Sequence, residues 1–355
     1  MNIYFRVDAS VHIGSGHVMR CLSLAETFTE MGHDVVFVMR MQFGDLCDYA
    51  ESRGFKVKRL PVLHGSKLPD SSDYQAWLQV PELVDANDFL SLATDAELIV
   101  IDHYGISAQW EKHVKSSIGC KQIVIDDLVR EHCADLILDQ TAGREVQVYR
   151  LTSPGSELLV GSEYALLRSR FSELHSVAIK KDFNFEHHKL LLTMGGVDKS
   201  NVTKDVLIAL SHRALPISTT VLLNKSAPHF SSVASFCEEH DEWITHLLFT
   251  EDMAELMMEH SISIGAPGST SWERACIGLP CIMIPIAQNQ IEICENLVKE
   301  GAAISLEVNE IPELLNDKLD ELLTRYSTIR RCALNLCDGR GVERLVDKLS
   351  LLGWI

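Results

Sequence analysis

Apolar and polar positions along this chain fall into strand-length blocks followed by helix-length blocks. The opening IYFRVDA is β-branched and aromatic, SVHIGSG interrupts it with glycines, and HVMRCLSLAETFTEM then sets Val18, Leu22, Leu24, Ala25, Phe28 and Met31 near helical spacing. Gly32 stops that helix as a C-terminal cap. The rhythm continues with VVFVM, FKVKRL, AELIVIDHY, KQIVIDD and ADLILDQ as strands, and with DLCDYAESRG and SAQWEKHVKSSIG as helices among them. Parallel neighbours need crossover connections, so strands alternating with helices predict a doubly wound parallel sheet over residues 1–145.

Residues 146–180 are broken by Gly, Pro and Ser and read as a passage between domains. Alternation resumes over 181–340, with KLLLTMGG, STTVLLN, THLLFT, HSISIGAP, PCIMIPI and AAISLEV as strands. The helices between them are TKDVLIALSHRA, DMAELMMEH, STSWERACIG and NQIEICENLVKEG, and residues 341–355 form a terminal helix. The expected fold class is α/β, two doubly wound Rossmann-like domains with an interdomain cleft, where strand carboxyl ends bind ligands.

Bulk properties narrow the function. A chain of 355 residues, 46% hydrophobic, has apolar content for two cores. Its net charge of −18, without a lysine or arginine stripe, disfavours nucleic acid and anionic membrane surfaces as partners. The first residues begin a strand, and no apolar run approaches the roughly 18 residues of a membrane span, so a cytoplasmic location is expected. Ten cysteines lie scattered without a C-x-x-C pair, which points to buried free thiols, with neither metal nor cofactor expected. His12, His103 and the His187–His188 pair read as exposed polar residues, since no metal-ligand spacing connects them.

Candidate chemistry sits in the turns. The first delivers Gly14, Ser15, Gly16 and His17 to a helix start, where free N–H groups and the positive dipole end suit an anion. A dinucleotide turn is disfavoured, because Met19 replaces its third glycine and the second strand ends in Arg40 instead of an acid. The same residues also read as a tight turn with a helix-capping histidine. In the second half, Gly195 and Gly196 let a ligand touch backbone, while GAPGSTSWERACIGLP places Ser269, Thr270 and Ser271 at a helix start with Glu273 behind them. A carboxylate for a ribose diol beside a helix start for phosphates describes a nucleoside diphosphate site. Ordinary N-capping, with Glu273 completing a capping box, explains the same cluster. Asn289 and Gln290 open the last such turn with side chains that both donate and accept.

Taken together, FRVDASVHIGSGHVMRCLSLAE at the start and LLLTMGGVD, LLFTEDMAELM, GAPGSTSWERACIGLPCIMIPIAQNQ and CDGRGVERLVDKL in the second half resemble the PseG family in the same order. These are UDP-2,4-diacetamido-2,4,6-trideoxy-β-L-altropyranose hydrolases of bacterial pseudaminic acid synthesis. The second-half pattern is shared with GT-B glycosyltransferases, particularly the peptidoglycan N-acetylglucosaminyltransferase. The resemblance implies a GT-B fold, UDP held mainly by the C-terminal domain, and hydrolysis at the anomeric carbon. It carries the catalytic histidine to His17, the tyrosine after the fourth strand to Tyr104, and the asparagine of the NQ pair to Asn289. Gly195, Gly196, Thr250, Met253, Ser269, Thr270, Ser271 and Glu273 fall on its UDP positions. The acidic segment 64–90 departs from the pattern.

From the chemistry, UDP is already a competent leaving group, so the reaction needs placed water, a base and donors for the diphosphate. His17 is expected to be the base for water, giving inversion at C1; no carboxylate pair of the glycosidase kind is evident. Gly14, Ser15, Gly16, Gln290 and Asp8 are expected on the substrate, Asp8 as a sugar contact or an anchor for its own turn. Arg20 is expected on the diphosphate, Tyr104 positions substrate through its hydroxyl, and Asp102, Asp126 and Asp127 read as loop ties. The partner expected is a UDP-sugar, with the chain a monomer. The alternatives are a GT-B transferase with a soluble acceptor, a hydrolysing epimerase, or a nucleotide-sugar binding protein that does not need His17.

Overall fold

A computed structural model describes residues 1–62, 73–181, 188–214 and 216–355. His187 and the first part of segment 64–90 lie outside the described residues. The chain divides into two units, Met1–Arg168 with Arg340–Ile355, and Ser169–Gly339.

In the first unit the strands are β1 (Asn2–Val7), β2 (Asp34–Arg40), β3 (Lys56–Leu60), β4 (Leu98–Asp102), β5 (Lys121–Ile125), β6 (Leu136–Asp139) and β7 (Glu157–Val160). They form one sheet in the order β3-β2-β1-β4-β5-β6-β7, every pair parallel. The helices among them are α1 (Gly16–Glu30), α2 (Cys47–Ser52), α3 (Glu82–Leu92), α4 (Ala108–Ile118) and α5 (Val146–Thr152). Strand side chains alternate across the sheet, so Ile3, Phe5 and Val7 pack with Val18, Leu22, Ala25 and Phe28 of α1 on one face. Tyr4, Ile99 and Ile101 pack with Phe89 and Trp110 on the other. Coverage of both faces explains why LIVID is apolar without alternation up to its final acid. Pairing of β1 with β4 in the register Val7↔Asp102 sets the glycine turn after β1 beside the end of β4.

The second unit starts with α6 (Ser169–Lys180). Its strands β8 (Lys189–Thr193), β9 (Ser218–Leu222), β10 (Ile244–Leu247), β11 (Ile262–Gly265), β12 (Cys281–Met283) and β13 (Ile304–Ser305) form a parallel sheet in the order β10-β9-β8-β11-β12-β13. The helices that follow α6 are α7 (Val202–Ser211), α8 (Phe230–Glu239), α9 (Met253–Glu259), α10 (Ser269–Ile277), α11 (Ile291–Lys299), α12 (Ile311–Thr324) and α13 (Tyr326–Leu336). The chain then returns to the first unit with α14 (Gly341–Leu351), whose Val342, Leu345 and Leu349 enter the core under β1.

The expected passage over 146–180 differs from what is observed. Its first part is built into the first sheet through β7, and α5 is anchored by the Tyr149 hydroxyl on Asp126 and Asp139 at 2.9 and 3.0 Å. Four residues, ELLV, between a Pro-Gly turn and a glycine carry too little periodicity to announce an edge strand. The second part is the amphipathic α6, and the boundary falls at Arg168.

Candidate active site

The turn after β1 closes on itself. Ser10 O accepts from Gly14 N at 2.8 Å, and Ser10 Oγ accepts from the backbone N–H of His12 and Ile13 at 3.2 Å each. Gly14 holds φ +82°, a region a side chain disfavours, so the loop reverses there and α1 starts at Gly16 with His17 in its first turn. Ser15 is exposed and its hydroxyl makes no capping bond, leaving the helix start to its backbone.

His17 is buried, 8% exposed, and its Nδ1 lies 2.6 Å from Asp102 Oδ1 at the end of β4. A carboxylate only accepts, so Nδ1 is the donor toward Asp102, and in the neutral ring that tautomer carries its lone pair on Nε2; Arg20 Nη2 lies 3.3 Å from the same Nδ1. Arg20, one turn along α1, grips the same carboxylate through Nε at 2.6 Å and Nη2 at 2.7 Å. Its Nη1 donates to Asp127 Oδ2 at 2.8 Å, which also accepts the Tyr104 hydroxyl at 2.8 Å. One guanidinium thus joins two carboxylates, one orienting the imidazole and the other orienting the phenol. Burial opposes the charge of Asp102, yet Arg20 and His17 hold its carboxyl well below the usual range. Burial first, and then the Asp127 charge, push the Tyr104 hydroxyl well above its ordinary value.

Aromatic rings close the cluster. The Tyr104 ring meets His17 edge-on at 4.6 Å between centroids, Trp77 stacks on Tyr104 at 5.7 Å, and Tyr74 touches both at 4.9 and 5.2 Å. The Arg130 guanidinium lies 5.5 Å over the Tyr104 ring. Each contact removes a freedom from His17 or Tyr104, as a preorganised site requires.

Four expectations are corrected here. Asp8 has no accessible surface for a sugar, because its oxygens are taken by Arg6 at 2.6 and 2.9 Å and by Arg40 N at 2.7 Å, with His103 Nε2 at 3.3 Å. Arg6 and Arg40 also bond Asp85, so Asp8 belongs to an ion network beneath the turn, and His103 is buried with it instead of exposed. The donors of Arg20 face Asp102 and Asp127, which makes it a positioning residue in place of a diphosphate ligand. Asp102 and Asp127 do not merely tie loops, whereas Asp126 does, binding Arg130 and Tyr149.

In the second unit, Gly195 and Gly196 are exposed after β8, with Gly195 at φ +85°. Asp198 then caps α7, accepting from Val202 N and Thr203 N at 2.9 Å each. Thr250 and Met253 are half-buried at the start of α9, and the Thr250 hydroxyl donates to Asp252 O at 3.2 Å. At α10 a capping contact comes from Ser271, whose Oγ accepts from Gly268 N at 3.1 Å. Ser269 and Thr270 stand half-buried at its first two positions, with Glu273 half-buried behind them. Asn289 is half-buried in a single helical turn, Gln288–Gln290, and Gln290 spends its carbonyl on Ile286 N at 2.8 Å. Among the described residues no group of three or more His, Cys, Asp or Glu is arranged to hold a metal ion. No helix among them is long and apolar enough to cross a membrane.

Residues 191–333 match the glycosyltransferase family 28 C-terminal domain. Over its whole length the chain superimposes on MurG of Acinetobacter baumannii with a TM-score of 0.65, at 14% identity, covering 98% of this chain and 99% of that one. The fold is GT-B. Among sequence relatives, the UDP-2,4-diacetamido-2,4,6-trideoxy-beta-L-altropyranose hydrolase of Campylobacter jejuni is 27% identical over 302 residues, 85% of this chain and 97% of that protein. The uncharacterized protein MJ1062 of Methanocaldococcus jannaschii is 23% identical over 309 residues, 84% of this chain, and the match spans 59% of MJ1062.

Proposed function

We propose that the protein hydrolyses a UDP-linked diacetamido-trideoxyhexose at the anomeric carbon, releasing UDP and a free sugar for nonulosonic acid synthesis. The observation that carries this reading is the imidazole of His17, fixed through Nδ1 at 2.6 Å on a buried carboxylate; in this reading Nε2 is the atom that accepts the proton. The similarity to the Campylobacter jejuni hydrolase across nearly that protein's full length supports the substrate class.

In this scheme His17 Nε2 takes a proton from water as the water oxygen bonds to C1. The C1–O bond to the diphosphate breaks, and its electron pair leaves with UDP. Asp102 keeps the imidazole in one tautomer and stabilises the imidazolium as it forms, with Arg20 holding the carboxylate. Tyr104, whose hydroxyl hydrogen is given to Asp127, offers its oxygen as an acceptor for the sugar. Gly14, Ser15, Gly16, Asn289 and Gln290 complete the sugar contacts. UDP is assigned to the turns at Gly195–Gly196, Thr250–Met253 and Ser269–Ser271, with Glu273 on the ribose.

The test is UDP release from the purified protein given the UDP-linked sugar and no acceptor. Steady turnover supports hydrolysis. Turnover only when a soluble acceptor is added would assign a transferase, to which the family 28 match also points, and binding without turnover would assign a sensor.

A further inference from the structure

Arg274 is 1% exposed and lies in the interior of α10, behind the turn that carries Ser269, Thr270 and Ser271. Its Nη2 donates to Ala266 O at 2.8 Å and lies 3.3 Å from Ser271 Oγ. Among the described residues these uncharged atoms are its only hydrogen-bond partners, and both Nε and Nη1 are buried without one. The backbone is shaped around this cation. A Cβ on Gly265 would sit 2.4 Å from Arg274 Nη1 and 2.5 Å from Thr193 O, so the ends of β8 and β11 come together over the guanidinium only because residue 265 is glycine. Cys294 feels the same charge but does not answer it, since burial pushes its thiol up to about 12.

A buried guanidinium without a carboxylate is an expensive arrangement. The buried Arg330 is held by the carbonyls of Ile277, Gly278 and Ala178, while three other deeply buried arginines show the usual remedy, Arg6 with Asp8 and Asp85, Arg20 with Asp102 and Asp127, Arg40 with Asp85 and Asp88. Arg274 lacks it, and it lies where two strand ends and a helix start converge. The net charge of −18 sharpens the need, because an anion approaching this protein meets an adverse overall field.

We propose that Arg274 is the fixed counter-charge of the nucleotide site, its missing anion being the diphosphate of the ligand. It acts from beneath the turn, through a low-dielectric interior where a charge reaches farther than in water, and it holds Ala266 and Ser271 in the phosphate-facing shape. This rests on the reading of the second unit as a UDP site.

The experiment is a ligand-observed NMR titration of the full chain with UDP and with uridine, which shares the base and ribose but has no charge. Arg274→Gln keeps a side-chain donor and loses the charge; Arg274→Lys keeps the charge. The expected result is a fall in UDP affinity of about tenfold or more for Arg274→Gln, with uridine affinity changed less than about twofold, and UDP affinity within about threefold for Arg274→Lys. Arg274→Met serves as the neutral variant if the glutamine variant does not fold. UDP affinity unchanged in the neutral variant overturns the proposal. So does equal weakening of UDP and uridine, which would make Arg274 a prop for the turn alone. Failure of the wild type to bind UDP would instead remove the nucleotide reading itself, and this proposal with it.

Discussion

His17 Nδ1 and Asp102 Oδ1 lie 2.6 Å apart although 85 positions separate them in the chain. The contact follows from sheet order, since β1 and β4 are neighbours and α1 leaves directly from the turn after β1. It converts a histidine in a glycine turn into an imidazole of fixed tautomer.

Asp102→Asn tests that conversion. The amide cannot hold the imidazolium that forms during reaction, and turnover is expected to fall roughly a hundredfold to ten-thousandfold, with UDP affinity within about twofold. Arg20 loses a buried partner, so stability should fall by about 3 kcal/mol. Steady-state kinetics and urea unfolding at one pH read both effects. Unchanged turnover would reduce Asp102 to a fold residue.

Tyr104→Phe deletes the hydroxyl that donates to Asp127 at 2.8 Å and leaves the ring between His17 and Trp77. Stability should drop by about 1 kcal/mol. The Michaelis constant should rise several-fold, because the lost group acts on sugar placement. A variant with wild-type kinetics would confine Tyr104 to packing.

Direct displacement by water predicts inversion at C1. Proton NMR on the first product, recorded before mutarotation, should show the anomer opposite to the substrate; retention would contradict a single displacement.

Stability should also respond to pH through His132, which lies 2.6 Å from Glu111 Oε1 and 3.5 Å from Asp126 Oδ2. Burial opposes its charge, but Asp126 and Glu111 outweigh burial and raise its pKa to about 9. A raised pKa contributes stability that is fully present below the unfolded value of about 6.5 and lost as pH climbs through 9. Chemical denaturation at pH 6 and pH 10 should differ by on the order of 3 kcal/mol from this group, and His132→Asn should remove that difference. An identical pH slope in the variant would refute the assignment. Asp8, Asp102 and Asp126 have the opposite sign, their contribution being lost at acid pH as each carboxyl protonates.

Much of the fold was legible because parallel strands covered on both faces leave dense apolar runs such as LIVID and KLLLT. What stayed hidden depends on neighbours in space. The acids ending IDHYG and IDDLV look alike in sequence, and only the pairing of β4 with β1 turns Asp102 toward His17 while Asp126 serves Arg130 and Tyr149. Asp8 misled for the same reason, since Arg6 on its own strand and Arg40 on the next enclose it. Trp77 and Tyr74 sat in an acidic stretch without a clear period, where two aromatics so close together were the available signal.

The central claim is that His17 accepts the proton from water. Its most direct test is UDP release by His17→Leu beside wild type, with no acceptor present, at matched UDP occupancy. Turnover should fall by about a thousandfold while UDP binds as before. A variant that still turns over within tenfold of wild type would contradict the account.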